Sequence, residues 1–248
     1  MGGYTEFAAV YDPLTFNVDY PAMADRLCAL FDQYGGDRSL VLDLACGTGS
    51  LTRELLRRGC DVIGADASPD MLGVARQKLA EEFPQTLLLC QPMERLDLYG
   101  TVTGVVCTLD SLNHLLTPAA LQRALTRAAL FLEPGGLLLF DLNTLYKHDQ
   151  ILGDNTYVYD RGAVYCVWRN RCRPQRHTVD LTLDFFVRTG DQYRRHTERF
   201  AERAYSDEQL AAALDAAGLV LLDRYDGYTD RPVGPQTERV LYVARKRA

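Results

Sequence analysis

The 248-residue chain is 47% hydrophobic, 24% charged and 10% aromatic, a globular composition that excludes disorder, collagen and coiled coil as its main architecture. Its length suits one large domain, or one domain with a sizeable insertion, able to bury a full core without disulfides or metals. A net charge of −6 supplies no general basic field, so neither nucleic acid nor an anionic membrane is expected as a partner.

Apolar runs such as residues 135–140 fall far short of the roughly 20 residues of a spanning helix. The opening Met1-Gly2-Gly3-Tyr4-Thr5-Glu6 has neither the basic nor the apolar region of a signal peptide. Glu6 also stands where a myristoylation signal requires Ser or Thr. Cysteines at 28, 46, 60, 90, 107, 166 and 172 are scattered with no C-x-x-C pair. They read as reduced thiols, so a cytoplasmic location is expected. Cys90 and Cys107 sit in apolar strand-like runs and are expected as buried small hydrophobes. The histidines at 114, 148, 177 and 196 show no metal-ligand spacing, and no metal is expected.

Residues 1–20 carry Tyr4, Phe7, Tyr11, Phe16 and Tyr20 and read as an aromatic N-terminal lid, or more simply as cover for the core. Helical spacing follows over 21–34, with Pro21 at its start and Gly35-Gly36 as its stop. Residues 39–44 form a short apolar strand, 50–58 a helix closed by Gly59, and 61–66 a second strand. Ser68 is placed to cap the next helix, with Pro69 at its first position and Asp70 near its positive end. Strands three and four are predicted over 86–90 and 103–109. A helix over 118–132 carries Leu121, Leu125 and Ala128 on one stripe, and Pro134-Gly135-Gly136 turns into a fifth strand over 137–141. Apolar strands alternating with helices specify a parallel sheet covered on both faces.

The pattern changes over 155–204, where period-two alternation begins. Val179, Leu181, Leu183 and Phe185 point one way, and Asp180, Thr182 and Asp184 the other. Thr189-Gly190-Asp191 is a hairpin turn. This segment reads as an antiparallel sheet inserted into a domain made of 21–154 and 205–248. A capped helix over 206–217, ended by Gly218, leads to two last strands at 219–225 and 238–244.

The informative segment is Asp43-Leu44-Ala45-Cys46-Gly47-Thr48-Gly49. An acid near the end of the first strand precedes a G-x-G turn that feeds a helix. Glycines there permit positive φ and close approach of backbone to a ligand. A parallel sheet binds its ligand beyond the carboxyl ends of its strands, where strand order reverses. Asp66 ends the second strand, 17 residues after Gly49, placed to take both hydroxyls of a ribose. An NAD-binding oxidoreductase calls for G-x-G-x-x-G. Here Thr52 holds the third position, and Asp43 stands where such strands are usually apolar. S-adenosylmethionine (SAM) has no pyrophosphate but carries an ammonium, a carboxylate and a sulfonium, which an acid such as Asp43 suits electrostatically. The combination favours SAM over a dinucleotide, and a glycine turn with no ligand is the simplest alternative.

Segments 43–49 and Gly64-Ala-Asp-Ala-Ser-Pro-Asp-Met-Leu72, with Ala75, resemble the class I SAM-dependent methyltransferases over residues 39–141 and in the last two strands. The opening Tyr4-x-x-Phe7-Ala8-x-Val10-Tyr11-Asp12 resembles a bacterial small-molecule branch with a β-insertion after strand five, similar to sugar and glycine N-methyltransferases. This resemblance implies an α/β, Rossmann-like, seven-stranded, mostly parallel sheet with helices on both faces and a small inserted antiparallel sheet. It implies that Ala45, Gly47 and Gly49 hold the methionine moiety, with Asp43 and Thr48 beside them as cofactor-binding candidates, and Asp66 with Ala67 and Met71 the ribose. Met93 and Glu94 take the adenine, and Tyr4, Tyr11 and Leu109 complete the set, with S-adenosylhomocysteine as product. Many relatives read Gln-Asp-Met after strand three. Here the run is Gln91-Pro92-Met93, so Glu94 or the backbone must meet the adenine amino group.

Methyl transfer from a sulfonium is an in-line displacement that chiefly needs alignment, plus a proton acceptor where the nucleophile carries a proton. Candidates are Asp110 and His114 after strand four and Tyr11 from the lid. His114 is the best base by its near-neutral unperturbed pKa, although a lone histidine is more readily a cap or core residue. Asp110-Ser-Leu-Asn113 lacks the Pro-Pro-aromatic loop of amino-group base methyltransferases, and no Pro-Cys nucleophile for cytosine C5 chemistry is present. Residues 161–203 hold ten arginines against five acids. That face suits an anionic or RNA-borne acceptor, or is a solvated sheet face with cross-strand ion pairs. The sequence therefore points to methylation of N or O on a small molecule. The rivals are RNA or protein methylation through the basic insertion, and a SAM-binding protein without catalysis. The apolar face of the insertion should roof the acceptor pocket, with a homodimer partner as the competing cover.

Overall fold

The computed structural model describes residues 4–248, with side chains from Phe7 onward. Its helices are α1 (Tyr4–Leu14), α2 (Tyr20–Gln33), α3 (Ser50–Arg57), α4 (Pro69–Leu79), α5 (Pro118–Phe131) and α6 (Asp207–Ala216). One sheet contains β1 (Leu40–Leu44), β2 (Asp61–Asp66), β3 (Leu87–Cys90), β4 (Val102–Cys107), β5 (Leu132–Asn143), β10 (Leu219–Asp226) and β11 (Arg239–Lys246). Their order is β10-β11-β5-β4-β1-β2-β3. The core strands pair in parallel, while β11 runs antiparallel to both β5 and β10. Strand order reverses at β1 and β4, which opens a crevice at their carboxyl ends.

Local chemistry explains the helix starts. Asp19, Ser68 and Thr117 each accept a hydrogen bond from the backbone two or three residues into their helices, with Pro in the first turn. Ser206 and Gln209 form a capping box at α6. Strand residues then sort by pleat. Leu42, Leu44, Val105, Cys107, Leu138 and Phe140 pack with α5 and α6. Their neighbours Val41, Val106, Leu137, Leu139, Leu241 and Val243 pack with α2 and α3. Each such side chain contributes about 1.5–3 kcal/mol by leaving water. Among the described residues no helix is long and apolar enough to cross a membrane.

The second sheet contains β6 (Thr156–Asp160), β7 (Val164–Arg173), β8 (Thr178–Thr189) and β9 (Gln192–Arg203), all antiparallel in sequence order. Register puts Cys166, Phe185 and His196 on one face with Cys172, Val179 and Glu202. The apolar part of that face forms one cluster with Phe7, Ala8 and Val10 of α1 and Met71 of α4. The opposite face carries ion pairs: Arg169 and Arg195 converge on Asp184, and Arg173 meets Asp180 at 2.6 Å.

Three sequence expectations are corrected. Strand five does not wait for the Pro134-Gly135-Gly136 turn. It begins at Leu132, and a register shift against β4 absorbs those residues as an irregularity within the strand. Cys107 is buried as expected, but Cys90 is exposed because it ends the edge strand β3. A wide helical turn, Lys147–Leu152, follows β5 where no element was expected.

Gly104 lets α2 approach the sheet closely. A Cβ there would lie 2.6 Å from the ring of Phe31, itself 1% exposed. Gly104→Ala should therefore cost about 1–3 kcal/mol through overpacking. Urea unfolding checks this, and an unchanged midpoint would mean that α2 shifts freely on the sheet.

Candidate active site

The chain leaves β1 through left-handed backbone at Ala45 (φ 63), Gly47 (φ 55) and Gly49 (φ 73). At Gly49 a side chain is excluded twice, by φ and by Ala75 of α4, whose Cβ would lie 3.0 Å away. Asp43, 2% exposed, accepts a 2.6 Å bond from Thr52 Oγ1. Burial pushes its carboxyl up to about 7. Asp66 accepts from the Gly47 N–H at 2.9 Å and the Ser68 N–H at 2.8 Å, tying the glycine turn to the end of β2. Burial raises its pKa too, against these bonds. Each carboxylate oxygen keeps a lone pair for a ribose hydroxyl. Ala67 follows Asp66, and Met71 stands in the first turn of α4, where it touches the lid cluster.

Tyr11 sits between the donor and acceptor sides. Burial raises its phenol well above its ordinary value, and Tyr20, Asp110, Arg239 and Asp66 all act on it electrostatically. The next residue, Asp12, latches the lid. It pairs with Lys78 of α4 at 2.8 Å and accepts from Thr48 Oγ1 at 2.7 Å. Sequence reading missed this latch, although Asp12 lies in the opening motif. The side chain of Tyr4 lies outside the described residues.

Beyond β4, Leu109 and Asp110 both have φ 55. Their N–H groups donate to the carboxylate of Asp141, fully buried at the end of β5, at 2.8 and 2.6 Å. Asp141 also accepts from the Tyr228 hydroxyl and the Arg239 guanidinium, and Arg239 reaches on to Asp110. Burial works to raise the Asp110 pKa, but Arg239, Lys147 and His114 together hold it below its ordinary value. His114 ends the 111–114 turn, exposed, with its ring 5.3 Å from that of Phe200 on β9. Asn113 stitches this turn to β5 and β9 through Asn143 and the Arg203 carbonyl. Arg239, Tyr228, Lys147 and Glu202 were not picked out in the sequence, since each comes from a distant segment.

The adenine side is less convergent. Glu94 is committed to Arg123 at 2.6 Å, and Gln91 to the backbone of Asp97. Met93 is half-buried, its sulfur 3.9 Å from that of Cys107.

A reversing parallel sheet, a left-handed glycine turn and an acid at the next strand end define a Rossmann-like nucleotide-cofactor enzyme. A buried acid near neutrality beside that turn suits a ligand carrying an ammonium, which SAM does. Comparison with known proteins narrows the class. Residues 41–136 match the "Methyltransferase domain" family. A putative methyltransferase of Geobacillus sp. (strain WCH70) is 32% identical over 98% of this chain and 99% of its own. The crystal structure of a SAM-dependent methyltransferase from Clostridium acetobutylicum is similar with TM-score 0.90 and 32% identity, covering 99% of each chain. A dTDP-3-amino-3,6-dideoxy-alpha-D-glucopyranose N,N-dimethyltransferase of Streptomyces fradiae is 32% identical over 50% of this chain and 47% of its own. The chain belongs to the SAM-dependent methyltransferases.

Two outcomes follow for the donor side. Asp66→Ala should weaken S-adenosylhomocysteine binding by about 1.5–3 kcal/mol, the loss of hydrogen bonds to a charged group. Isothermal titration measures it, and an unchanged Kd in the folded variant would place the ribose contact elsewhere. Asp43 binds its proton more tightly folded than unfolded. Its contribution to stability is therefore intact below about pH 4 and declines as pH rises towards the folded value of about 7. Asp43→Asn should remove that decline, up to about 1.4 kcal/mol per pH unit, in denaturation curves recorded from acid to neutral pH. Parallel pH profiles for the two proteins would contradict the burial argument.

Proposed function

We propose that the protein is a cytoplasmic methyltransferase that methylates N or O of a small-molecule acceptor beneath a roof formed by α1 and residues 155–204. The carrying observation is the single apolar cluster joining the second sheet, α1 and Met71 of α4. It supports closure over the crevice and gives the insertion's apolar face a cover within the same chain. The seven cysteines are all free, in keeping with a reducing compartment. Residues 21–154 with 205–248 then act as the cofactor-binding body.

SAM supplies a methyl group on a leaving group already activated as a sulfonium. The chain's own task is to align an acceptor, exclude water and handle a proton. Tyr11, kept protonated by burial, donates rather than accepts. Asp110, clamped by Arg239, positions rather than takes a proton. His114, exposed at the mouth, is the group able to accept one and release it to solvent. Cofactor binding is assigned to Ala45, Gly47, Thr48 and Gly49 in the glycine turn and to Leu109 after β4. The S. fradiae relative acts on a nucleotide-linked amino sugar, which supports a small acceptor. RNA or protein methylation would need the arginines of the insertion, but Arg169, Arg195 and Arg173 are engaged with Asp184 and Asp180.

Assays of S-adenosylhomocysteine release with a library of small amines and hydroxyl compounds test the reading. Turnover is expected with at least one of them. Phe200→Ala should raise the KM for that acceptor about tenfold, equivalent to 1.4 kcal/mol, with cofactor affinity unchanged. Methylation of RNA or protein in place of any small compound would overturn the proposal.

A further inference from the structure

The 111–114 turn, β9 and the 147–152 turn meet at a group of side chains to which no cofactor role falls. One ligand atom each from Asp110, His114 and Glu202 lies within 4.8 Å of the others. A point therefore exists no more than about 2.8 Å from all three, the length of a charge-assisted N–H···O bond. Glu202 is 4% exposed, yet no lysine or arginine among the described residues pairs with it. Its contacts are Asn143 Nδ2 at 3.1 Å and His148 Nε2 at 3.3 Å. Buried carboxylates normally hold a cation.

A second observation points the same way. His148 is fully buried: its Nε2 lies 3.3 Å from Glu202 Oε2, while its Nδ1, like the buried Oδ1 of Asn143, makes no hydrogen bond. Both unpartnered atoms belong to residues touching Glu202. Other charged groups frame the cluster. Arg239 of β11 holds Asp110 and Asp141. Lys147 acts on both Asp110 and Glu202 electrostatically without an ion pair to either among the described residues. Glu238 faces Lys147, and Asp66 of β2 faces His114.

We propose that Asp110, His114 and Glu202 dock an amino group of the methyl acceptor, which arrives as an ammonium and divides its three N–H bonds among them. The inference rests on the small-molecule reading above and narrows it to amines. An ammonium offers three donors to three acceptors, whereas a hydroxyl offers one and, spent on Asp110 or His114, leaves the buried Glu202 unmatched. A divalent metal would require bonds of about 2.0–2.6 Å and further ligands, and Arg239 already engages one oxygen of Asp110. In the reaction, the His114 imidazole takes one ammonium proton and passes it to solvent. The freed nitrogen lone pair forms the new C–N bond to the methyl carbon as the C–S bond breaks. Sulfur keeps that bonding pair, and the methylated nitrogen carries the positive charge.

The test uses the full chain saturated with S-adenosylhomocysteine, and benzylamine and benzyl alcohol as matched probes in saturation-transfer NMR. Benzylamine should give a signal at least several-fold above that of benzyl alcohol. Glu202→Gln should abolish this difference, while Glu82→Gln, on the far end of α4's surface loop, should preserve it. Unchanged S-adenosylhomocysteine affinity certifies that Glu202→Gln is folded. If it is not, exposed His114→Gln carries the same expectation. Equal probe signals in the wild type, an amine preference surviving in the folded variant, or stoichiometric Mn2+ binding lost on the same substitution would each overturn the proposal. Failure of the small-molecule reading would look different: no small compound of either kind would support turnover.

Discussion

The carboxylate of Asp141 is the fixed point of the acceptor side. It is completely buried at the end of β5 and accepts from two consecutive backbone N–H groups, a tyrosine hydroxyl and a guanidinium. Those two N–H groups belong to Leu109 and Asp110, both in left-handed backbone that L-residues rarely adopt. The strained turn persists because the carboxylate over-determines it. Its shape then decides where Asp110 and His114 stand. Removing one partner from such a buried network leaves charge uncompensated, a loss of about 3–5 kcal/mol.

Donor and acceptor sides are linked through the lid rather than through the sheet alone. Asp12 fastens α1 to Thr48 in the glycine turn and to Lys78 in α4. Phe7 and Val10 of the same helix pack into the apolar face of the second sheet. One short helix thus connects the cofactor turn to the sheet that carries Phe200 and Glu202. The packing of α1 couples the two halves of the crevice in addition to the chain connections at either end of the insertion.

The main sheet was legible because its signals are local. Apolar runs bounded by glycine and proline placed β1 and β2 within a residue and β4 within two, Leu109 turning left-handed where strand was expected, and period-two alternation revealed the inserted sheet. The donor-side candidates were equally local, since Asp43, the glycine turn and Asp66 lie at strand ends of one repeating pattern. Failures arose where tertiary context decided. Cys90 has the sequence of a buried strand residue, and only its place at a sheet edge exposes it. The 147–152 turn carries only brief signals, Thr144 accepting from the Lys147 N–H and Gly153 ending it, too close together to mark a helix in the sequence. Arg239 reads as an ordinary residue at the start of a strand over 238–244 until β11 is seen to deliver it against Asp110 and Asp141, 129 and 98 residues away.

The crevice, its lid and the inserted sheet together serve methyl transfer to a low-molecular-weight acceptor in the function proposed above. The most direct measurement is incubation of a bacterial cell extract with the enzyme and SAM carrying a 13C-methyl group, followed by size fractionation and carbon NMR. The label is expected in the small-molecule fraction as a new methyl resonance that requires the enzyme. Enzyme-dependent label confined to RNA or protein would contradict the account.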